Sequence, residues 1–269
     1  MWIRVFWVAL IWVLAWTGAA RADDTILVQS TTSTRNSGFY DYILPLVKAE
    51  LGLTVKVVAV GTGAALKNAM NCDGDVLLVH SRKREDKFVA DGFASRRYDL
   101  MYNDYVIVGP AEDPAGLANS GDAAVAMRKI AASGVKFVSR GDDSGTHGKE
   151  KSLWQAAGID ATLRGAGYRE AGAGMGETLN LAVGVGGYTL SDRASWEAFG
   201  NKAGFKILVE GDMRLFNPYG VMSVSSVKCP SVNSEAGQAF IDWLVSPRGQ
   251  TAIADFRVGG KQLFFPNAQ

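Results

Sequence analysis

Short apolar runs alternate with amphipathic runs of helix length along most of this chain, and that alternation predicts an α/β sheet with crossover helices. Residues 25–29, 55–60, 75–80 and 104–108 are rich in Val, Ile and Leu and are bounded by turn formers, so they read as strands. Residues 40–50 carry an apolar face at Ile43, Leu46 and Val47, residues 64–71 follow a Gly-Thr-Gly turn, and residues 82–90 are a charged run; all three read as helices. Beyond a turn at Asp113-Pro114, the pattern predicts helices over 122–132, 149–157, 177–183, 193–199, 234–244 and 247–256. Strands are expected over 135–138, 187–190, 205–209 and, most strongly alternating, 221–227. There is no internal repeat, no heptad array and no Pro/Ser-rich linker.

Two lobes need no such linker when extended strands cross between them. Residues 101–108 and 217–224 are the candidates, each with an aromatic-polar entry, Tyr102-Asn103-Asp104-Tyr105 and Asn217-Pro218-Tyr219. A first lobe made of residues 23–104 plus 215–269 would then flank a second made of residues 105–214, with a ligand cleft between them.

The ends and the composition narrow the setting. Arg4, an apolar stretch over residues 5–16 and Ala20-Arg21-Ala22 read as a secretory signal peptide, residues 1–22, cut after Ala22. The apolar stretch is short of the ~20 residues a spanning helix needs, and no Cys follows it for lipid attachment. Export to a bacterial periplasm is the expected destination. Losing Arg4 and Arg21 leaves 26 of the 28 basic residues against 27 acidic ones, a net charge of −1. That balance argues against a nucleic-acid partner, and it means that any anion affinity comes from local geometry. Cys72 and Cys229 stand too far apart in sequence for spacing to say whether they pair. With His80 and His147 they offer no close-spaced ligand pair, so no metal site and no cofactor is expected.

The chemistry concentrates where strands run into helices. Residues 138–147 read Val-Ser-Arg-Gly-Asp-Asp-Ser-Gly-Thr-His, which places one Arg, two hydroxyls and a turn at the mouth of a helix. The first N–H groups of a helix lack internal partners and carry the positive end of its dipole, which makes an anion site. Either Asp143 or Ser144 can cap that helix. Ser30-Thr31-Thr32-Ser33-Thr34 follows the first strand, Gly61-Thr62-Gly63 follows the second, and Tyr188-Thr189-Leu190-Ser191-Asp192-Arg193 forms a weaker fourth corner. Five hydroxyls in a row suit neither helix nor core, but in an α/β sheet the carboxyl end of a strand is where ligands bind. Arg140 adds a bidentate fork for an oxyanion. The standard nucleotide loops G-x-x-x-x-G-K-[ST] and G-x-G-x-x-G after the first strand are absent. Gly172-x-Gly174-x-Gly176 reads as a mobile loop able to close over a cleft.

Other uses of these residues are weighed here. Asp142 and Asp143 read as capping groups that brace Arg140; an inward carboxylate would instead favour a protonated phosphate. His80 reads as structural at a strand end. Ser144 with His147 defines a remote hydrolase alternative, although the pattern G-x-S-x-G is missing.

Thr31-Thr32-Ser33-Thr34, Val60-Gly61-Thr62-Gly63, the strand ending at His80, Tyr102-Asn103-Asp104, Ser139 through His147, the Tyr188 to Arg193 corner and Asn217-Pro218-Tyr219 together carry a resemblance. The chain resembles the periplasmic tungstate-binding proteins of bacterial tungstate ABC transporters over nearly all of its length after residue 22. That family's first run usually reads Thr-Thr-Thr-Ser; Ser30 stands here in place of the first Thr and keeps a hydroxyl. The resemblance implies a two-lobed, class II-type periplasmic-binding-protein fold and a monomeric receptor without enzymatic activity. It implies tungstate held by Thr31, Thr32, Ser33, Thr62, Arg140, Ser144, Gly145 and Thr146 and handed to a membrane permease. Molybdate, sulfate or phosphate is the alternative ligand.

Overall fold

Apolar β-branched residues close the first layer of the structure, a computed structural model that describes residues 25–118, 120–160 and 167–269. The expected signal peptide lies outside the described residues. In chain order the elements are β1 (Thr25–Thr31), α1 (Thr32–Asn36), α2 (Phe39–Leu51), β2 (Thr54–Val60), α3 (Thr62–Met70), β3 (Val76–Val79), α4 (Arg82–Ala90) and β4 (Tyr98–Pro110). There follow α5 (Ala123–Ser133), β5 (Phe137–Ser139), α6 (Gly145–Ala156), β6 (Tyr168–Glu170), α7 (Met175–Val185), β7 (Tyr188–Asp192), α8 (Arg193–Ala198) and β8 (Phe205–Val209). A 3-10 turn (Met213–Leu215) leads to β9 (Phe216–Ser223), α9 (Ser234–Val245), α10 (Pro247–Asp255) and the short strands β10 (Arg257–Val258), β11 (Lys261–Gln262) and β12 (Phe265–Pro266).

The main sheet runs β2-β1-β3-β9-β4-β7-β5-β6, with β8 and β12 also paired to β4. β1 lies parallel to β2 and β3, whereas β9 is antiparallel to β3 and β4. β4 changes partners along its length. Tyr98 to Asp104 pair with β9, and Tyr105 to Pro110 pair with β7 and β8. Two separate cores follow from this exchange. One gathers Ile26, Phe39, Ile43, Tyr219, Phe240 and Phe264; the other gathers Tyr105, Ile107, Met127, Phe137, Trp154 and Tyr188. Among the described residues, no helix is long and apolar enough to cross a membrane.

Three expectations change. The hydroxyl run is not a loop: Ser30 and Thr31 finish β1, and Thr32–Asn36 form α1, with Ser30, Thr31, Ser33 and Thr34 all buried. Burial is tolerated because each of these four hydroxyls finds a partner inside the protein. The late strand begins at Phe216 and ends at Ser223 instead of spanning 221–227, and Val227 is exposed. Pro218 can sit in it because β3 pairs only from Gly220 onward, so the missing N–H faces an open side there. Residues 172–176 are not a free loop, since Gly172 N–H donates to Arg140 O (2.9 Å) and Ala173 O accepts from Arg140 Nε (2.7 Å). Cys72 and Cys229 form a disulfide, Cα atoms 5.2 Å apart, which ties the end of α3 to the loop after β9.

Candidate functional site

Three strand-to-helix corners supply the site. Thr31 caps α1, its Oγ1 accepting from Thr34 N–H, and Gly61 stands at the N-cap of α3. Ser144, not Asp143, caps α6, its Oγ accepting from His147 N–H at 3.1 Å. Each helix therefore presents first-turn N–H groups at its mouth. The mouths meet. Thr62 Oγ1 accepts from Gly145 N–H at 3.0 Å, Gly63 N–H donates to Asp143 O at 3.4 Å, and Ser33 Oγ lies 3.0 Å from His80 Nε2. The approach is close enough to favour glycine at 145, where a Cβ would stand 3.0 Å from both His80 Cε1 and Thr62 Oγ1. Beside this seam opens a cleft of about 510 Å³ whose lining includes His80, Arg84, Tyr105, Gly145, Lys149 and Asn217.

All eight residues expected at the site fall on these three corners, seven of them buried and Thr32 half-buried at the first position of α1. They differ in what they leave available. Thr146 Oγ1 is buried with no partner at hydrogen-bond distance and only a longer interaction with Tyr105 OH, so it is under-satisfied until a ligand meets it. Arg140 is buried too, and its fork is partly engaged: Nε donates to Ala173 O and Nη2 pairs with the Asp142 carboxylate. Asp142 Oδ1 also accepts from Ser144 N–H at 3.2 Å, so this carboxylate braces the corner. Asp143 does not brace Arg140; it pairs with Arg84 of α4, across the seam.

Behind the corners, Glu150 is buried and accepts from Ser139 Oγ (2.5 Å), Trp154 Nε1 (3.0 Å) and Tyr168 OH (2.8 Å), which fixes α6 to β5 and β6. The Ser144 and His147 side chains are used separately. Ser144 Oγ takes the His147 main-chain N–H, and His147 Nδ1 takes the Asp143 N–H at 3.3 Å. Among the described residues, no group of three or more His, Cys, Asp or Glu is placed to hold a metal.

Four residues outside the expected ligand set stand around the corners. His80, read as structural, joins the hydroxyl run to Tyr105 and Asn217. Asp192 caps α8 through Oδ1, while its Oδ2 is buried and unpartnered; burial pushes its pKa up against the pull of Arg140. Polar residues standing at strand ends inside apolar surroundings were the available signal for Asp192, Asn217 and His80. Arg84, on a charged helix, carried none.

Burial, reinforced by the nearby charges of Arg140 and Lys149, lowers the pKa of His80 to about 4, while its hydrogen bond to Asn217 opposes the shift. A base with a depressed folded pKa stabilises the fold fully above its unfolded value of 6.5, and that share is lost as pH falls toward 4. The shift corresponds to about 3 kcal/mol. Denaturant titrations at pH 7 and pH 4.5 should show wild type losing more stability on acidification than His80→Gln. Equal losses would remove His80 from the pH response.

The profile of the PBP superfamily domain matches residues 17–248. A protein of Peptoclostridium acidaminophilum named tungstate-binding protein TupA is 44% identical over 252 residues, covering 92% of this chain and 87% of its own. The solved structure of the tungstate-binding protein TupA from Desulfovibrio alaskensis G20 is 44% identical, with TM-score 0.78, covering 91% of this chain and 100% of its own. That of the tungstate ABC transporter from Geobacter sulfurreducens is 46% identical, with TM-score 0.80, covering 87% and 100%.

Proposed function

The chain belongs to the PBP superfamily, and on that premise we propose that it is a receptor that binds tungstate at the seam and delivers it to the permease of an ABC transporter. The observation that carries this reading is the meeting of the α3 and α6 mouths at Thr62 and Gly145, with α1 tied to them through His80 and with the buried Thr146 hydroxyl and buried Arg140 beside them. A doubly charged tetrahedral oxyanion needs many donors in a water-poor space. Hydroxyls and main-chain N–H groups provide them without excess positive charge. The proposed ligand set is Thr31, Thr32, Ser33, Thr62, Arg140, Ser144, Gly145 and Thr146. The metal arrives inside the oxyanion, whose oxygens are the contacting atoms, so no side chain coordinates tungsten.

The state of Asp142 bears on selectivity. Its Oδ2 pairs with Arg140 and its Oδ1 accepts from Ser144 N–H, so the carboxylate is compensated and held by its own corner and is a poorer acceptor for the proton of hydrogen phosphate than a bare one. This favours a fully ionised ligand. The proposed lobes are residues 23–104 with 215–269, and residues 105–214; the partner exchange of β4 between Asp104 and Tyr105 supports that division. Arg84 and Asp143 would then pair across the closed cleft. A periplasmic location and a monomeric state complete the proposal.

Competition titration against tungstate, molybdate, sulfate, phosphate and chromate tests it. Tungstate is expected to bind tightest and to raise the melting temperature with concentration, as any ligand of the native state must. Tight phosphate or sulfate binding with no response to tungstate would overturn it.

A further inference from the structure

The hydroxyls at α1 form a chain of hydrogen bonds that runs into His80, and its direction is set from the far end. Asn217 Nδ2 donates to Asn103 Oδ1 at 2.6 Å, with Asn103 Nδ2 left buried and without a partner at hydrogen-bond distance, and in this orientation Asn217 Oδ1 faces His80 Nδ1, 3.0 Å away. An amide oxygen only accepts, so Nδ1 carries the ring proton. Tyr105 OH also lies 3.0 Å from Nδ1 and shares that proton as an acceptor; if it donated instead, the Nδ1 lone pair would face the Asn217 oxygen. His80 is buried and neutral near pH 7, so it has one ring proton and Nε2 is bare. Ser33 Oγ, 3.0 Å from Nε2, must therefore donate to it.

The same reasoning continues outward. Thr31 Oγ1 is 3.1 Å from Ser33 Oγ and 2.7 Å from Thr34 Oγ1. Each hydroxyl has one proton, so Thr34 donates to Thr31 and Thr31 to Ser33. Ser30 is engaged separately, donating to Leu78 O at 2.8 Å while Tyr40 OH lies 2.5 Å from its Oγ.

We propose that His80 is a positioning residue that draws the Ser33 hydroxyl proton away from the ligand, so that the Ser33 hydroxyl is not a donor to the oxyanion. This deepens the tungstate reading and rests on it. It departs from the expectation that the Thr31 and Ser33 hydroxyls contact the ligand themselves. Its physical advantage is rigidity: four hydroxyls of the run are held by the protein before the anion arrives, so their ordering is not left to the binding step.

Two measurements test it on the full mature protein. Long-range proton–nitrogen NMR correlation of the imidazole rings, with His80→Gln to assign the His80 signals, reads the tautomer directly. The expected result is Nδ1–H with a bare Nε2; an Nε2–H ring overturns the proposal. Calorimetry with tungstate then compares wild type and Ser33→Ala. Loss of a ligand-contacting hydroxyl would weaken binding by tenfold or more, whereas the proposal expects a change within about threefold. A tenfold or greater loss in a Ser33→Ala protein that keeps the wild-type melting temperature overturns it. Wild type that binds no tungstate would sink the functional reading instead, and the ring measurement would still decide the proton direction.

Discussion

Arg140→Ala should lose about 30-fold to several-thousand-fold in tungstate affinity, the largest effect of any single change in the site. Removing one partner of a desolvated, hydrogen-bonded charge pair costs about 2–5 kcal/mol or more, and each 1.4 kcal/mol is a factor of ten. Here the loss has three sources. The guanidinium no longer faces the dianion. The Asp142 carboxylate, which Arg140 holds, is left uncompensated and close to the ligand. Ala173 O loses its donor, so the segment before α7 is held to the corner only by its main-chain bonds from Ala171 and Gly172 N–H. Arg140→Lys keeps the charge but cannot satisfy Ala173 O, Asp142 and the ligand with a fork, so it should fall between wild type and Arg140→Ala. Calorimetry decides the matter. Wild-type affinity in Arg140→Ala would remove this residue from the site.

Thr146→Val should separate stability from binding. The buried Thr146 hydroxyl has only a long interaction with Tyr105 OH, so replacing it with a methyl of similar shape removes an under-satisfied polar group from the folded protein. The ligand-free variant should be as stable as wild type or slightly more so. Tungstate affinity should fall about 10- to 100-fold, the equivalent of one hydrogen bond of ~1.5–3 kcal/mol to a charged group. Denaturant midpoints and titrations on the same preparations give both numbers. A variant that is destabilised yet binds normally would mean that the hydroxyl serves the fold and not the ligand.

These expectations show where sequence reasoning was strong. The helix Arg82–Ala90 and the strand Phe205–Val209 were legible to the residue, because charge density, β-branching and flanking turn residues all agreed. The helix after Ser144 was foreseen with Ser144 among its two candidate caps, but the pattern starts its run only at Lys149, because Gly145 and Gly148 lower helix propensity in the first turn. α1 was missed for a related reason. Ser and Thr disfavour helix by competing for the backbone, and only the buried partners of this run reverse that preference.

The site was legible as corners and not as atoms. Local sequence shows that hydroxyls and glycines sit at helix mouths. It does not show that Ser33 answers to His80, 47 positions away, or that His80 answers to Asn217, 137 positions away. The same holds for Arg140. Its proximity to Asp142 was readable, but the engagement of Nε by Ala173 O depends on a segment 33 positions downstream. Asp143, a residue at φ 58°, was expected to brace Arg140 and pairs instead with Arg84, 59 positions upstream, which local sequence does not show.

Crystals of the mature protein grown with tungstate, measured at a wavelength where tungsten scatters anomalously, address the whole account in one map. A single strong peak enclosed by Thr62, Arg140 and Thr146 is the result expected. A peak anywhere else, or none under saturating tungstate, would contradict it.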